Sequence, residues 1–137
     1  MKENNKRAQI YKLEFCSLDN AVIHNIPSSR FIKVSADWFD IPISTAEFTE
    51  VPSADNMIEQ ELKGIITDTS AINRKELEEV LSDYGILRCT YTNGVQRIIG
   101  TDQFPVEVEL SENGSPARYE LTVNHKSASK AKIYQSF

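Results

Sequence analysis

INRKELEEVLSDYGILRCTYTNGVQRIIG, residues 72–100, decides the fold. It reads as one helix running directly into one hairpin. Asn73 suits an N-cap, because its side-chain oxygen can accept from free N–H groups of a first helical turn, and Glu76, three residues on, completes a capping box. Ile72 and Leu77 stand at the two positions of a hydrophobic staple. Leu77, Val80, Leu81 and Tyr84 recur at i, i+3, i+4 and i+7, one apolar stripe. The pattern predicts a helix over about 73–84, ended by Gly85 as its left-handed cap. Ile86 to Thr92 is β-prone, Asn93-Gly94 suits a two-residue type I′ turn, and Val95 to Ile99 returns.

Outward from this stretch the chain alternates with period two. Ile10 to Cys16 is a strand whose Tyr11, Leu13 and Phe15 form the expected buried face. Ala21 to Ile26 is a short apolar piece closed by Pro27, and Arg30 to Ala36 a second clear strand. Pro42 and Pro52 bracket an edge strand or extended loop over about 46–51. Residues 57–67 could form a helix or a strand. Gly64 and the Ile-Ile-Thr ending disfavour helix, so strand is expected. Val106, Val108 and Leu110 alternate with Glu107 and Glu109, and Tyr119, Leu121 and Val123 with Glu120, Thr122 and Asn124. Ser111 to Pro116 reads as a turn, His125 to Lys130 as a polar loop, and Ala131 to Tyr134 as a final strand. The expected class is α+β, mainly β: an antiparallel sandwich or open barrel of about eight or nine strands, with one helix across an opening.

The chain has 137 residues, the length of one domain, with residues 1–7 expected as a loose tail. Its formal net charge of −5 argues against a general nucleic-acid binder. No apolar run has the length of a signal peptide or a membrane span, so the chain should stay in the cytoplasm unless carried out within an assembly. Cys16 and Cys89 lie on separate apolar strands and read as buried thiols. His24 and His125 stand in no ligand motif, and nothing has the spacing of a zinc site. A Cys–His pair is conceivable on paper, but both cysteines are mid-strand, away from any helix N-terminus that would stabilise a thiolate. Glu76, Glu78, Glu79 and Asp83 fit a solvated helix face. No catalytic residue, cofactor or metal site is therefore expected.

The candidate contact residues are fewer. Asp37-Trp38-Phe39-Asp40 is the most aromatic spot, either a partner-binding knob or, the commoner case, a loop whose rings fold back into the core. Ile41 and Ile43 follow it on the expected edge segment. Lys126 and Lys130 lie with Arg118, Lys132 and His125 near the C-terminus, as a nucleic-acid or phosphate patch or, preferably, a charged face that keeps strand edges apart.

The order of elements resembles a group of small prophage-encoded proteins, virion- or tail-associated. Glu59 to Leu62 leads to the helix, then to ILRCTYTNGVQRIIGTDQFP (residues 86–105), then to YELTVNHKSASKAKIY (residues 119–134). In that group a helix precedes a hairpin with Asn-Gly and Arg-Ile-Ile-Gly, and a Lys-Ser loop leads to a short last strand. The resemblance covers about residues 57–136 and carries over no catalytic residue. It implies a non-enzymatic phage or prophage structural or assembly protein. Such a protein would self-associate as a homo-oligomer or dock on another virion protein, and it would be cytoplasmic until assembled. The alternative is a monomeric adaptor that binds a partner through the Trp38-Phe39 loop.

Overall fold

The computed structural model describes residues 8–26, 28–67, 74–113 and 118–137. Two sheets carry the chain. The larger contains β1 (Ile10–Ser17), β2 (Ala21–Asn25), β3 (Phe31–Ala36), β4 (Phe39–Ile41), β7 (Gly85–Tyr91), β8 (Gln96–Ile99) and β11 (Lys132–Gln135), in the order β2-β3-β11-β8-β7-β1-β4. It curls into a half-barrel. The smaller contains β5 (Thr45–Pro52), β6 (Ile58–Ile66), β9 (Glu109–Asn113) and β10 (Arg118–Ser127), in the order β5-β6-β10-β9. The fold is α+β and mainly β, with one short α-helix among the described residues, α1 (Arg74–Val80), as the sequence pattern indicates.

The main core lies between the sheets. Leu13 and Phe15 of β1, Ile41, Leu87, Cys89 and Ile99 meet Leu62 and Ile66 of β6 and Leu121 and Val123 of β10. Leu77 and Leu81 bring α1 into the same core. A second cluster fills the opposite face of the large sheet: Cys16, Ile32, Val34, Ile86 and Ile98, with Ile23, Trp38 and Tyr134 beside them. β1 is therefore covered on both faces, which buries Glu14 and Cys16 as well as Leu13 and Phe15.

Residues 58–66 form a strand, and Gln60, Leu62, Gly64 and Ile66 take its buried face. Several expectations are corrected. There are eleven strands among the described residues, not eight or nine, and β11 runs parallel to β3, so the large sheet is not wholly antiparallel. In β1 the pairing slips between Ile10 and Lys12, a bulge that places Ile10 in the core and leaves Tyr11 exposed. The helix ends at Val80, four residues earlier than expected, and Tyr84 is 57% exposed rather than part of the buried stripe. Ile72 and Asn73 lie outside the described residues, as does the expected tail over 1–7.

Gly85 is not a helix cap. It opens β7, exchanges backbone hydrogen bonds of 2.9 and 2.8 Å with Val106, and lies so close to β1 that a Cβ would stand 2.3 Å from the Cys16 carbonyl oxygen. The β7–β8 turn also differs. Gly94 N–H donates to Tyr91 O and Tyr91 N–H to Val95 O, both at 2.9 Å, and only Gly94 of the Asn-Gly pair has positive φ (88°). A three-residue loop, a type I turn followed by a glycine bulge, replaces the expected type I′ turn. Val95 N–H donates to Asn93 Oδ1, so the asparagine closes the loop through its side chain. The strand expected from Val106 lies further along, at Glu109–Asn113, with Val106 bridging to Gly85 alone. The expected turn at 111–116 is therefore strand over Ser111–Asn113, and residues 114–117 are outside the described set. Likewise His125 to Ser127 continues β10 rather than starting a loop.

Candidate functional site

The small sheet is too narrow to cover the large one. Its inner face packs on β8, β7, β1 and β4, and no residue of β2, β3 or β11 joins that core. The strand registers show which residues continue the covered face. Ile133 stands opposite Arg97 and Phe31, and Lys33 opposite His24 and Gln135. Val22, His24, Phe31, Lys33, Ile133 and Gln135 thus share one face, and for these three strands that face is bare. Val22 is 63% exposed and Ile26 53%; Phe31, Phe137 and His24 are exposed with them. A depression of about 110 Å³ lies among His24, Ile26, Ser29, Phe31, Lys33 and Gln135. The Phe137 ring lies 6.5 Å from that of His24, centroid to centroid.

The strand at the margin of this face is unusual too. An end strand presents unpaired N–H and C=O groups, and proteins normally guard it with charges, proline or short length. The sheets have four end strands, and three are guarded: β9 by Glu109 and Glu112, β5 by Glu47, Glu50 and Pro52, β4 by Asp40 and its three-residue length. β2, Ala-Val-Ile-His-Asn, has no acidic or lysine/arginine side chain and bonds to β3 alone among the described residues. Its far end is fastened from below. The buried Lys132 Nζ donates to Asn25 Oδ1 at 2.5 Å and to the Ile26 carbonyl at 2.8 Å, and burial holds its pKa below the usual lysine value.

The residues singled out from the sequence do not form one site. Trp38 packs half-buried against the second cluster, on the other face of the large sheet. The Arg88 guanidinium lies 4.6 Å from its ring centroid and 4.8 Å from that of Tyr134, and donates through Nε and Nη2 to the two oxygens of Glu14, each at 2.8 Å. Phe39 and Ile43 pack half-buried against the main core, and Ile41 is 1% exposed within it. Lys126 projects from β10 to Asp55, 2.8 Å away. Hydrogen bonds from Lys126 and Ser53 hold the Asp55 carboxyl well below the usual carboxylate range, and the same pairing raises Lys126. Lys130 lines a different groove, with Glu50, Tyr91 and Arg97. Phe39, Ile41 and Ile43 are brought together, inside; Trp38 and the two lysines are each elsewhere. The bare face was missed. Its one signal in the sequence is a charge-free apolar stretch just before Pro27.

A polar row crosses the inner face of the small sheet. Glu50 Oε2 accepts from Gln60 Nε2 at 2.8 Å and from Ala131 N–H at 2.7 Å, and His125 stands opposite Gln60 across the β6–β10 ladder. Gln60 Oε1 and His125 Nε2 are buried with no hydrogen-bond partner among the described residues. Burial lowers the His125 pKa. Desolvation raises the Cys16 thiol and pushes Cys89 up to about 12. Among the described residues no three His, Cys, Asp or Glu side chains are grouped to hold a metal ion, and no helix is long and apolar enough to cross a membrane.

Comparison with protein-family models, with curated proteins and with solved structures finds no significant match.

Proposed function

We propose that the protein is a non-enzymatic structural or assembly protein that works by accepting another polypeptide on its β2–β3–β11 face. The observation that carries this reading is the combination at β2: an end strand without charged guards, bordering an apolar face that the protein's own second sheet leaves bare. A docked strand would satisfy the β2 backbone by sheet extension, and apolar side chains over Val22, Ile26 and Phe31 would supply the burial. The phage or prophage setting rests on the likeness of residues 57–136 to small virion-associated proteins. In that setting the partner is a virion component and the assembled particle its final location.

A photo-crosslinking amino acid in place of Val22 tests this directly. The reading expects a covalent protein adduct, and loss of that adduct when Phe31→Lys places a charge on the same face. A Val22 probe that captures no protein, either in concentrated pure protein or during production of the assembly, refutes it.

A further inference from the structure

We infer that the occupant of this face is a second copy of the chain, presenting the outer side of its β5–β6 margin. The inference rests on the docking reading above and names its partner.

Charge selects the partner. The bare face carries Lys33 and His24 and no carboxylate side chain. Face-to-face pairing of two identical copies through this surface would bring both Lys33 ammonium groups into one interface with no carboxylate side chain to meet them, which disfavours the symmetric arrangement. The other side of the molecule offers the complement. Across β5, β6 and β10 the ladders align Thr49 with Glu61 and Asn124, and Val51 with Glu59 and Lys126. These six residues line an open concavity of about 540 Å³. Its floor combines exposed Val51, an apolar group to meet Phe31 or Phe137, with the carboxylates of Glu59 and Glu61. Its one lysine, Lys126, is already held by Asp55.

Topology allows the contact. β2 ends the large sheet and β5 ends the small one, so the two are separate patches on one molecule. Each copy can therefore give one surface and receive the other at once. Such a head-to-tail contact repeats, closing into a ring when its rotation divides a full turn and otherwise growing as a filament.

Sedimentation velocity of the full chain over a range of concentration and salt provides the test. Wild type forms species larger than one copy, weakened by added salt. Lys33→Glu and Glu61→Lys each weaken association about ten-fold or more, and the double reversal recovers most of that loss. A second measurement does not depend on the charge variants folding. Cys16 and Cys89 are buried, so a thiol introduced on the surface stands alone. Val22→Cys and Thr49→Cys proteins, mixed, should form a mixed disulfide dimer faster than either forms its own. Unchanged association in Glu61→Lys, no recovery in the double variant, or faster homodimers of Val22→Cys would each overturn the inference. If the Val22 photo-probe captures only a different protein, this inference falls and the docking reading stands. If it captures nothing, both fall.

Discussion

Glu14 and Arg88 face each other across the β1–β7 ladder, 74 residues apart in the chain, joined by two parallel hydrogen bonds of 2.8 Å. Both side chains are largely buried, and the guanidinium lies against the rings of Trp38 and Tyr134, which themselves meet edge to face. The group ties four strands of the curled sheet, or their margins, at one point.

Removing half of this pair leaves a charge without its partner in a dry place. Arg88→Ala should destabilise the protein by about 3–5 kcal/mol in urea unfolding. The double change Glu14→Leu, Arg88→Met removes both charges and should recover most of the loss. If Arg88→Ala shifts the midpoint no more than a typical surface substitution, the pair is not held in a dry place.

Two glycines should respond for different reasons. At Gly85 a methyl group would meet the Cys16 carbonyl and the Phe15 ring, at 2.3 and 2.6 Å, so Gly85→Ala should cost about 3 kcal/mol by overpacking. At Gly94 nothing lies within 4 Å, and only the positive φ opposes a side chain. Gly94→Ala should cost about 1 kcal/mol. Thermal melts of the two variants rank them, and equal shifts would contradict the close approach of β7 to β1.

Stability should fall in mildly acidic solution. His125 is half-buried and burial depresses its pKa, so the unfolded chain takes up this proton at a higher pH than the folded one. The contribution of the neutral ring is complete above the unfolded value near 6.5 and is lost as pH drops through the lower folded value. Urea titrations at a series of pH values should show this slope in wild type and a shallower one in His125→Gln. Equal slopes would show that the ring is solvated.

The two thiols should be silent towards a thiol reagent in the native state and both react in urea. Each is buried, and desolvation disfavours the thiolate in each. They cannot pair with each other: Cys16 stands opposite Ile86 and Cys89 opposite Leu13, in different clusters on the two faces of one sheet. Rapid native labelling of either would contradict the placement of β1.

What could be read beforehand was local. Gly64 and the Ile-Ile-Thr ending turned residues 58–66 from a helical pattern into a strand, and the alternation at Tyr119, Leu121 and Val123 marked a buried face correctly. Tyr11 went the wrong way because one bulge reverses every side chain before it, and nothing in Ile-Tyr-Lys marks a bulge. Gly85 has the same sequence signature whether it caps a helix or lets β1 approach. Nothing in the sequence marks Arg88 and Glu14 as partners, since their meeting depends on register between distant segments. The bare face was hidden for the same reason. Whether Val22 and Phe31 are covered is decided by how many strands the second sheet has, and neither residue carries that information.

The position of β11 has a consequence during synthesis. It lies between β3, which it joins in parallel, and β8. Among the described residues the β2–β3 hairpin joins the rest of the large sheet through β11, which is synthesised about a hundred residues later. At translation speeds of about 5–20 residues per second, that hairpin waits several seconds with Ile32 and Val34 unpacked on one side and the bare face open on the other. The unguarded strand and its bare apolar face are thus exposed together, on every nascent chain of a polysome, before the rest of the large sheet is in place.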